Sequence, residues 1–291
     1  MAKALFLLCT LVLQFSFFSC KSTPEYEAVE PLRLIDCEAP LIVYIPAKAN
    51  KSAVEFFLTK MADMSAKNVS TVTDRTENVA VSADFGGSFQ IAVEGSYPKI
   101  GVSHALSPKN GWTAQKADSS AFPFTVYSSE EYKLQLANPD SCTILVSSDV
   151  SPMLKRFEAE QKALVSSLSE TQAEIKEFPL AVYEYLTDNK NSEIHFWANN
   201  PAVFFNKIAG KAVNLGIKSL YGSLTESKSE NTFALTLNLE LSNDSVTKAA
   251  VKILKLALFP IPAKIVQTGS DTVQISDISL SYNQLFRMIK K

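Results

Sequence analysis

Residues 4–18 form an apolar run broken only by Thr10, Gln14 and Ser16, and the run is followed at once by Ser19, Cys20 and a polar stretch, K-S-T-P-E-Y-E. No other feature constrains the fold as strongly. A helix needs about 20 apolar residues to cross a bilayer, and this run is shorter. It fits the hydrophobic region of an export signal, with Lys3 as the short positive start. Residues 1–19 are therefore expected to be removed, leaving 20–291 to fold outside the cytoplasm.

Small Ser19 before Cys20 has the pattern of a bacterial lipobox, in which the cysteine is acylated and becomes the first residue; the usual leucine three places earlier is here Phe17. An ordinary secretory signal with an incidental cysteine is the other reading. Each acyl CH₂ buried in a bilayer contributes roughly 0.8 kcal/mol, so two or three chains anchor a protein durably. Residues 20–34 then serve as the lipidated cysteine and a tether, and 35–291 as a single domain.

The chain is 46% hydrophobic, enough for a sizeable core, and no run of 18 apolar residues follows Cys20. Removing Lys3 takes the formal charge from −2 to −3. A nucleic-acid partner would favour a basic excess, which is absent. Cys37 and Cys142 remain after processing, an even pair in an exported chain. A bridge between them would close a loop of about 105 residues, worth roughly 4 kcal/mol; two buried thiols are the alternative.

A strand, a proline or asparagine break and a helix recur at 41–57, 143–157, 193–208 and 273–289. The uneven spacing excludes a solenoid and suits two duplicated halves, 35–170 and 171–291. Strands are expected at about 69–83, 87–94 and 98–105, with D-F-G-G at 84–87 as a hairpin turn. T-F-A-L-T-L-N-L-E-L at 232–241 alternates as a half-buried strand does. Residues 153–169 carry a helical stripe, 180–186 a short helix, and 106–122 a surface loop holding Trp112. The fold class is α+β, a largely antiparallel central sheet with amphipathic helices packed on it.

Chemistry is sparse. His104 and His195 are the two histidines, and each lies in an alternating apolar pattern that suits packing better than catalysis. No Cys/His cluster has metal-ligand spacing, and G-x-S-x-G, Walker and G-x-G-x-x-G motifs are missing. D-F-G at 84–86 and S-V-T-K at 245–248 copy fragments of enzyme motifs without their companions. No enzyme and no cofactor is expected.

Two segments stand apart. Over 201–221, read as one helix, Lys207, Lys211, Asn214 and Lys218 share an arc of about 60°. Phe204, Phe205, Ile208, Val213, Ile217 and Leu220 fill much of the rest. Over 245–259, Lys248, Lys252 and Lys255 form the same narrow strip beside Val251, Leu254, Leu258 and Phe259. An ordinary surface helix has a wide face of mixed charge. These have one sign of charge and lysines that can snorkel, as in helices lying in a membrane interface. A helix nearly buried in a core, with its lysines as the wet edge, has the same pattern.

The relaxed lipobox, the lysine-striped and F-F-containing helices and the strand-break-helix units resemble a group of treponemal lipoproteins concealed on the periplasmic face of the outer membrane. That resemblance implies a mixed α/β/α fold whose amphipathic helices insert into bilayers and permeabilise them. Here it implies that 201–221 and 245–259, with 50–64, enter the inner leaflet of the outer membrane. Membrane lipids of an anionic bilayer are the expected partner. A fatty-acid carrier with an apolar cavity and an assembly partner for envelope proteins are the alternatives.

Overall fold

The computed structural model describes residues 28–62, 66–84, 86–117, 124–165, 177–188, 192–204, 216–227, 231–258 and 262–285. Among them, twelve strands form one sheet in which every neighbouring pair is antiparallel. The strands are β1 (Leu41–Pro46), β2 (Thr76–Ala83), β3 (Phe89–Gly95), β4 (Thr113–Lys116), β5 (Thr125–Ser129), β6 (Leu134–Ala137), β7 (Thr143–Ser147), β8 (Ile194–Ala198), β9 (Ile217–Ser227), β10 (Thr232–Leu241), β11 (Lys264–Gln267) and β12 (Thr272–Ser281). The helices are α1 (Lys51–Ala62), α2 (Ala66–Thr73), α3 (Lys99–Ala105), α4 (Ser151–Val165), α5 (Leu180–Thr187) and α6 (Asp244–Ala257); residues 201–204 and 282–285 are also helical.

The strand order is β11-β12-β10-β9-β8-β1-β2-β3-β7-β6-β5-β4. Read outward from the central β1–β8 pair, β1-β2-β3-β7-β6 on one side has the connectivity of β8-β9-β10-β12-β11 on the other. Because β1 and β8 are antiparallel, a two-fold axis through the sheet between them relates the two runs. A helix follows both β1 and β8, another follows β3 and β10, and another follows β7 and β12.

Each strand separates its side chains by the two-residue period. On β1, Ile42 and Tyr44 join the core under α4, α5 and the N-terminal segment 29–35, while Val43 and Ile45 join the opposite core. That opposite side carries α1 to α3 over the first half of the sheet and α6 over the second. The last pair of helices breaks the symmetry. The core under α4 contains Met153, Leu154 and Phe157. Tyr282 instead packs with Phe233, Phe56 and Phe57 on the other side. The face of β10, β12 and β11 away from α6 therefore carries no described helix. It is lined by Thr232, Ala234, Thr236, Asn238, Glu240, Thr272, Gln274 and Ser279, the mostly polar half of the alternation, with Lys264 and Val266 on β11.

A β-bulge keeps that alternation in step. Between Leu235 and Leu237 of β10 the register with β12 shifts, and two residues, Ser276 and Asp277, face one, Thr236. Asp277 takes a left-handed φ of 64°. The extra residue lets Val273 and Ile275 before it, and Ile278 after it, all enter the core.

Three expectations are corrected here. Residues 98–105 are not a strand: Pro98 starts α3 with φ −54°, and Val102, Ala105 and Leu106 are buried at helical spacing. Residues 69–73 belong to helix α2, where Val69 and Val72 point inward three apart and the Thr73 hydroxyl donates to Val69 O at 3.1 Å. Residues 106–117 are more than a surface loop: 113–116 form edge strand β4, and Trp112 is 1% exposed, stacked near Tyr132.

Candidate functional site

Helix α6 starts at Asn243, whose backbone is extended. Its side chain caps the first turn, accepting from Val246 N at 3.0 Å. Asp244 in the first turn and Lys255 in the last suit the helix dipole. Thr247, Ala250 and Leu254 are buried against the sheet, with Val251 and Leu258 half-buried beside them. The core they join includes Leu237, Leu239, Val273 and Ile275.

The apolar surface of α6 is divided. With Lys248 as the zero of the helical wheel, the buried positions centre about 130° away. Lys252 and Lys255 flank Lys248 within about 40°, and all three are exposed. Leu256, Ala249 and Ile253 come next around the wheel, on the side away from the buried arc, and are exposed too. Leu256 is 79% and Ile253 45% exposed. A ridge of apolar side chains therefore stands in solvent directly beside three lysines. Lys248 pairs with Asp244 at 2.6 Å. That contact, with help from Gln267, holds the Asp244 carboxyl below its ordinary range.

Ile253 and Leu256 lie outside the set of membrane-binding residues expected from sequence, which centres on Leu254 and Leu258. Leu254 is 1% exposed. A helical wheel shows a broad apolar arc without saying which part touches the sheet. Small Thr247 and Ala250 are the available clue, since a close approach to strands needs short side chains.

The other lysine-striped segment behaves differently. Residues 201–204 are helical, with Asn200 Oδ1 3.4 Å from Val203 N and Phe204 packed 5.9 Å from the Phe196 ring. Phe205, Lys207, Ile208, Lys211 and Val213 lie outside the described residues, as do Phe259 and Cys20. Ile217, Lys218 and Leu220 are not helical: Gly216 turns the chain with φ 61°, and all three belong to β9. Leu220 is fully buried beneath α6 and Lys218 sits where the register with β10 shifts. The 207/211/214/218 spacing fits a helix, but L-Y-G-S-L at 220–224 equally fits a strand with Leu220 and Leu224 on one face.

Cys37 and Cys142 are not joined; each is a half-buried thiol. Asn199 holds the Cys37 and Ala39 carbonyls at the Leu41 end of β1. Cys142 O accepts from Gly95 N at the opposite end of β3 and β2, level with the Pro46 end of β1. About six strand residues, roughly 20 Å, separate the two ends, and a disulfide needs Cα atoms within about 7 Å.

His104 is exposed on α3. His195 is buried, stacked on Tyr185 at 5.0 Å, with Nε2 3.7 Å from a Glu193 carboxylate oxygen. Tyr185, Trp197 and Tyr221 pack around one another at 4.8–6.2 Å between ring centres. Burial pushes the Tyr185 hydroxyl up. Rings this close leave no space between them for a ligand. Among the described residues no three His, Cys, Asp or Glu side chains gather to hold a metal, and no helix is long and apolar enough to cross a membrane.

Among curated proteins the sequence has no match. Three crystal structures of TP0453 share the fold. Form III covers 90% of this chain and 98% of its own, with a TM-score of 0.66. Form I covers 90% and 97% with 0.66, and form IV 91% and 98% with 0.64. Identity is 20% in each case. The profile of the family described as outer membrane-associated lipoprotein TP0453 matches residues 26–286. That match takes in the whole sheet and α1 to α6, and this chain therefore belongs to the TP0453 family of outer membrane-associated lipoproteins.

Proposed function

We propose that the protein, held at the periplasmic face of the outer membrane by acylated Cys20, lays the outer arc of α6 into the lipid interface and loosens the leaflet there. The observation that carries the reading is the exposed ridge of Leu256, Ile253 and Ala249 beside Lys248, Lys252 and Lys255, separate from the arc that holds α6 to the sheet. Apolar side chains then sink into the acyl boundary while lysines meet anionic headgroups. Burying Leu256 contributes roughly 2 kcal/mol and the less exposed Ile253 about 1 kcal/mol. Each lysine adds roughly 1 kcal/mol near an anionic surface. The sum is a modest, reversible contact that orients a body already anchored by its acyl chains.

Flotation of the unacylated mature chain with anionic and with zwitterionic vesicles tests this, with dye release as the second readout. Binding to anionic vesicles that weakens with salt and with Leu256→Glu is expected. No binding to anionic vesicles at low salt overturns the reading; binding without dye release removes the loosening alone.

A further inference from the structure

The N-terminal segment 28–40 is tied to the sheet around one unusual carboxyl group. Val29, Leu32, Leu34 and Ile35 are buried against Ile42, Tyr44, Ala80, Ala92 and Leu145. Between them, Glu30 caps the 3₁₀ turn Pro31–Leu34: its Oε2 accepts from Leu32 N at 3.1 Å. Its Oε1 is buried and has no hydrogen-bond partner. A buried ionised oxygen without a donor is costly, whereas a protonated carboxyl can carry its hydrogen there. The surroundings add to this. Glu94 of β3, which accepts from Asn78 Nδ2 at 2.8 Å, places a second negative charge nearby. The one cation on the segment, Arg33, is directed to Glu160 of α4 at 3.3 Å and over the Tyr183 ring of α5 at 5.8 Å. On α4, Arg156 is held by Gln90 at 3.1 Å, and Glu158 pairs with Lys162 at 3.1 Å.

We propose that segment 28–36 is a proton-operated clasp: neutral Glu30 holds it on the sheet, and loss of that proton raises the frequency with which it opens. Opening moves the first residue fixed to the sheet from Val29 to Cys37, whose carbonyl Asn199 holds. At its limit this nearly doubles the maximum reach from Cys20 to the folded body, since reach grows in proportion to the number of residues spanned. That consequence rests on acylation of Cys20; the clasp itself does not.

The direction follows from linkage. Burial is the largest cause and pushes Glu30 up to about 7 from 4.5; the Leu32 N–H opposes it, the Glu94 charge adds to it, and Arg33 opposes it. The closed segment thus binds the proton more tightly than the open one. Closure is strongest below pH 4.5 and weakens through the interval to about 7. That interval corresponds to an increase in opening of up to about 300-fold. The four buried apolar side chains keep the closed form dominant throughout, so opening frequency is the quantity that changes.

Hydrogen exchange of the full chain, corrected for intrinsic exchange and followed from pH 4.5 to 8, reads this at the amides of 32–36. Protection is expected to fall by up to about 300-fold in the parent. It should stay level and high in Glu30→Gln. In Glu94→Gln, where the neighbouring charge is gone, the fall should be smaller and should level off at a lower pH than in the parent. Identical pH profiles for parent and Glu30→Gln, protection rising with pH, or a Glu30→Gln segment unprotected at every pH each overturn the proposal.

Discussion

Leu254 and Leu256 are two residues apart on α6 and provide a test that separates a core role from a lipid role. Leu254 is 1% exposed among Leu237, Leu239 and Val273, so Leu254→Ala leaves a cavity costing about 2–5 kcal/mol. That is a large share of a typical domain stability of about 5–15 kcal/mol. Leu256 is 79% exposed, and a substitution there changes stability by about 0.5 kcal/mol or less. At a bilayer the order reverses. Leu256→Glu removes roughly 2 kcal/mol of apolar insertion and places an anion among headgroups where each charge is worth about 1 kcal/mol. The combined loss of about 3 kcal/mol is a fall of over a hundredfold in vesicle partitioning. Urea unfolding and flotation with anionic vesicles, run on both variants of the unacylated chain, give the two readings. Leu256→Glu binding within threefold of the parent would refute the lipid role. A loss of stability in Leu256→Glu matching that of Leu254→Ala would refute the division of the helix into two apolar arcs.

Further outcomes follow from the sheet and the thiols. A Cβ at Gly222 would lie 2.2 Å from Thr236 O and 2.7 Å from the Phe196 ring. Gly222→Ala should therefore lower stability by about 2 kcal/mol or more, read as a fall in the urea midpoint. Deleting Asp277 removes the bulge and its left-handed residue and leaves Ile275, Ser276 and Ile278 in regular alternation against Leu237, Thr236 and Leu235, so Ile278 stays in the core. Thermal melts should therefore show a loss well below the roughly 2–3 kcal/mol that exposing Ile278 would cost. Cys37 and Cys142 should both be alkylated without reductant in the denatured chain, and slowly in the native one, because burial raises both thiols; an intact mass lower by two hydrogens would contradict the observed separation.

Sequence periodicity reported the elements whose two faces meet different surroundings. β10 alternates because one face enters the core and the other meets water, and α6 carries a cap, a lysine strip and no proline until Pro260. Where both periods fit, residues alone did not decide. Ile217–Leu220 continues a helical lysine spacing, yet Gly216 ends it and the open edges of β8 and β10 recruit the segment as a strand. The 98–105 stretch alternates, yet Pro98 and the burial of Val102, Ala105 and Leu106 make it a helix. Trp112 sits in a polar loop by composition, and only the closing of β4 on β5 brings it inside. The candidate surface was half legible. Its lysines and its broad apolar arc could be read directly, whereas which apolar residues stay exposed, Ile253 and Leu256, was decided only by the sheet claiming the other side of the helix.

The break in two-fold symmetry at the final helix gives the C-terminal half a front and a back. The helix side carries exposed Leu256 and Ile253 with three lysines, and the reverse of β10 and β12 carries mainly hydroxyls and amides with Glu240. Under the proposed lipid contact, this half presents its helix to the membrane and its polar strand face away from it. On that reading, the orientation follows from which side chains alternate along β10 and β12.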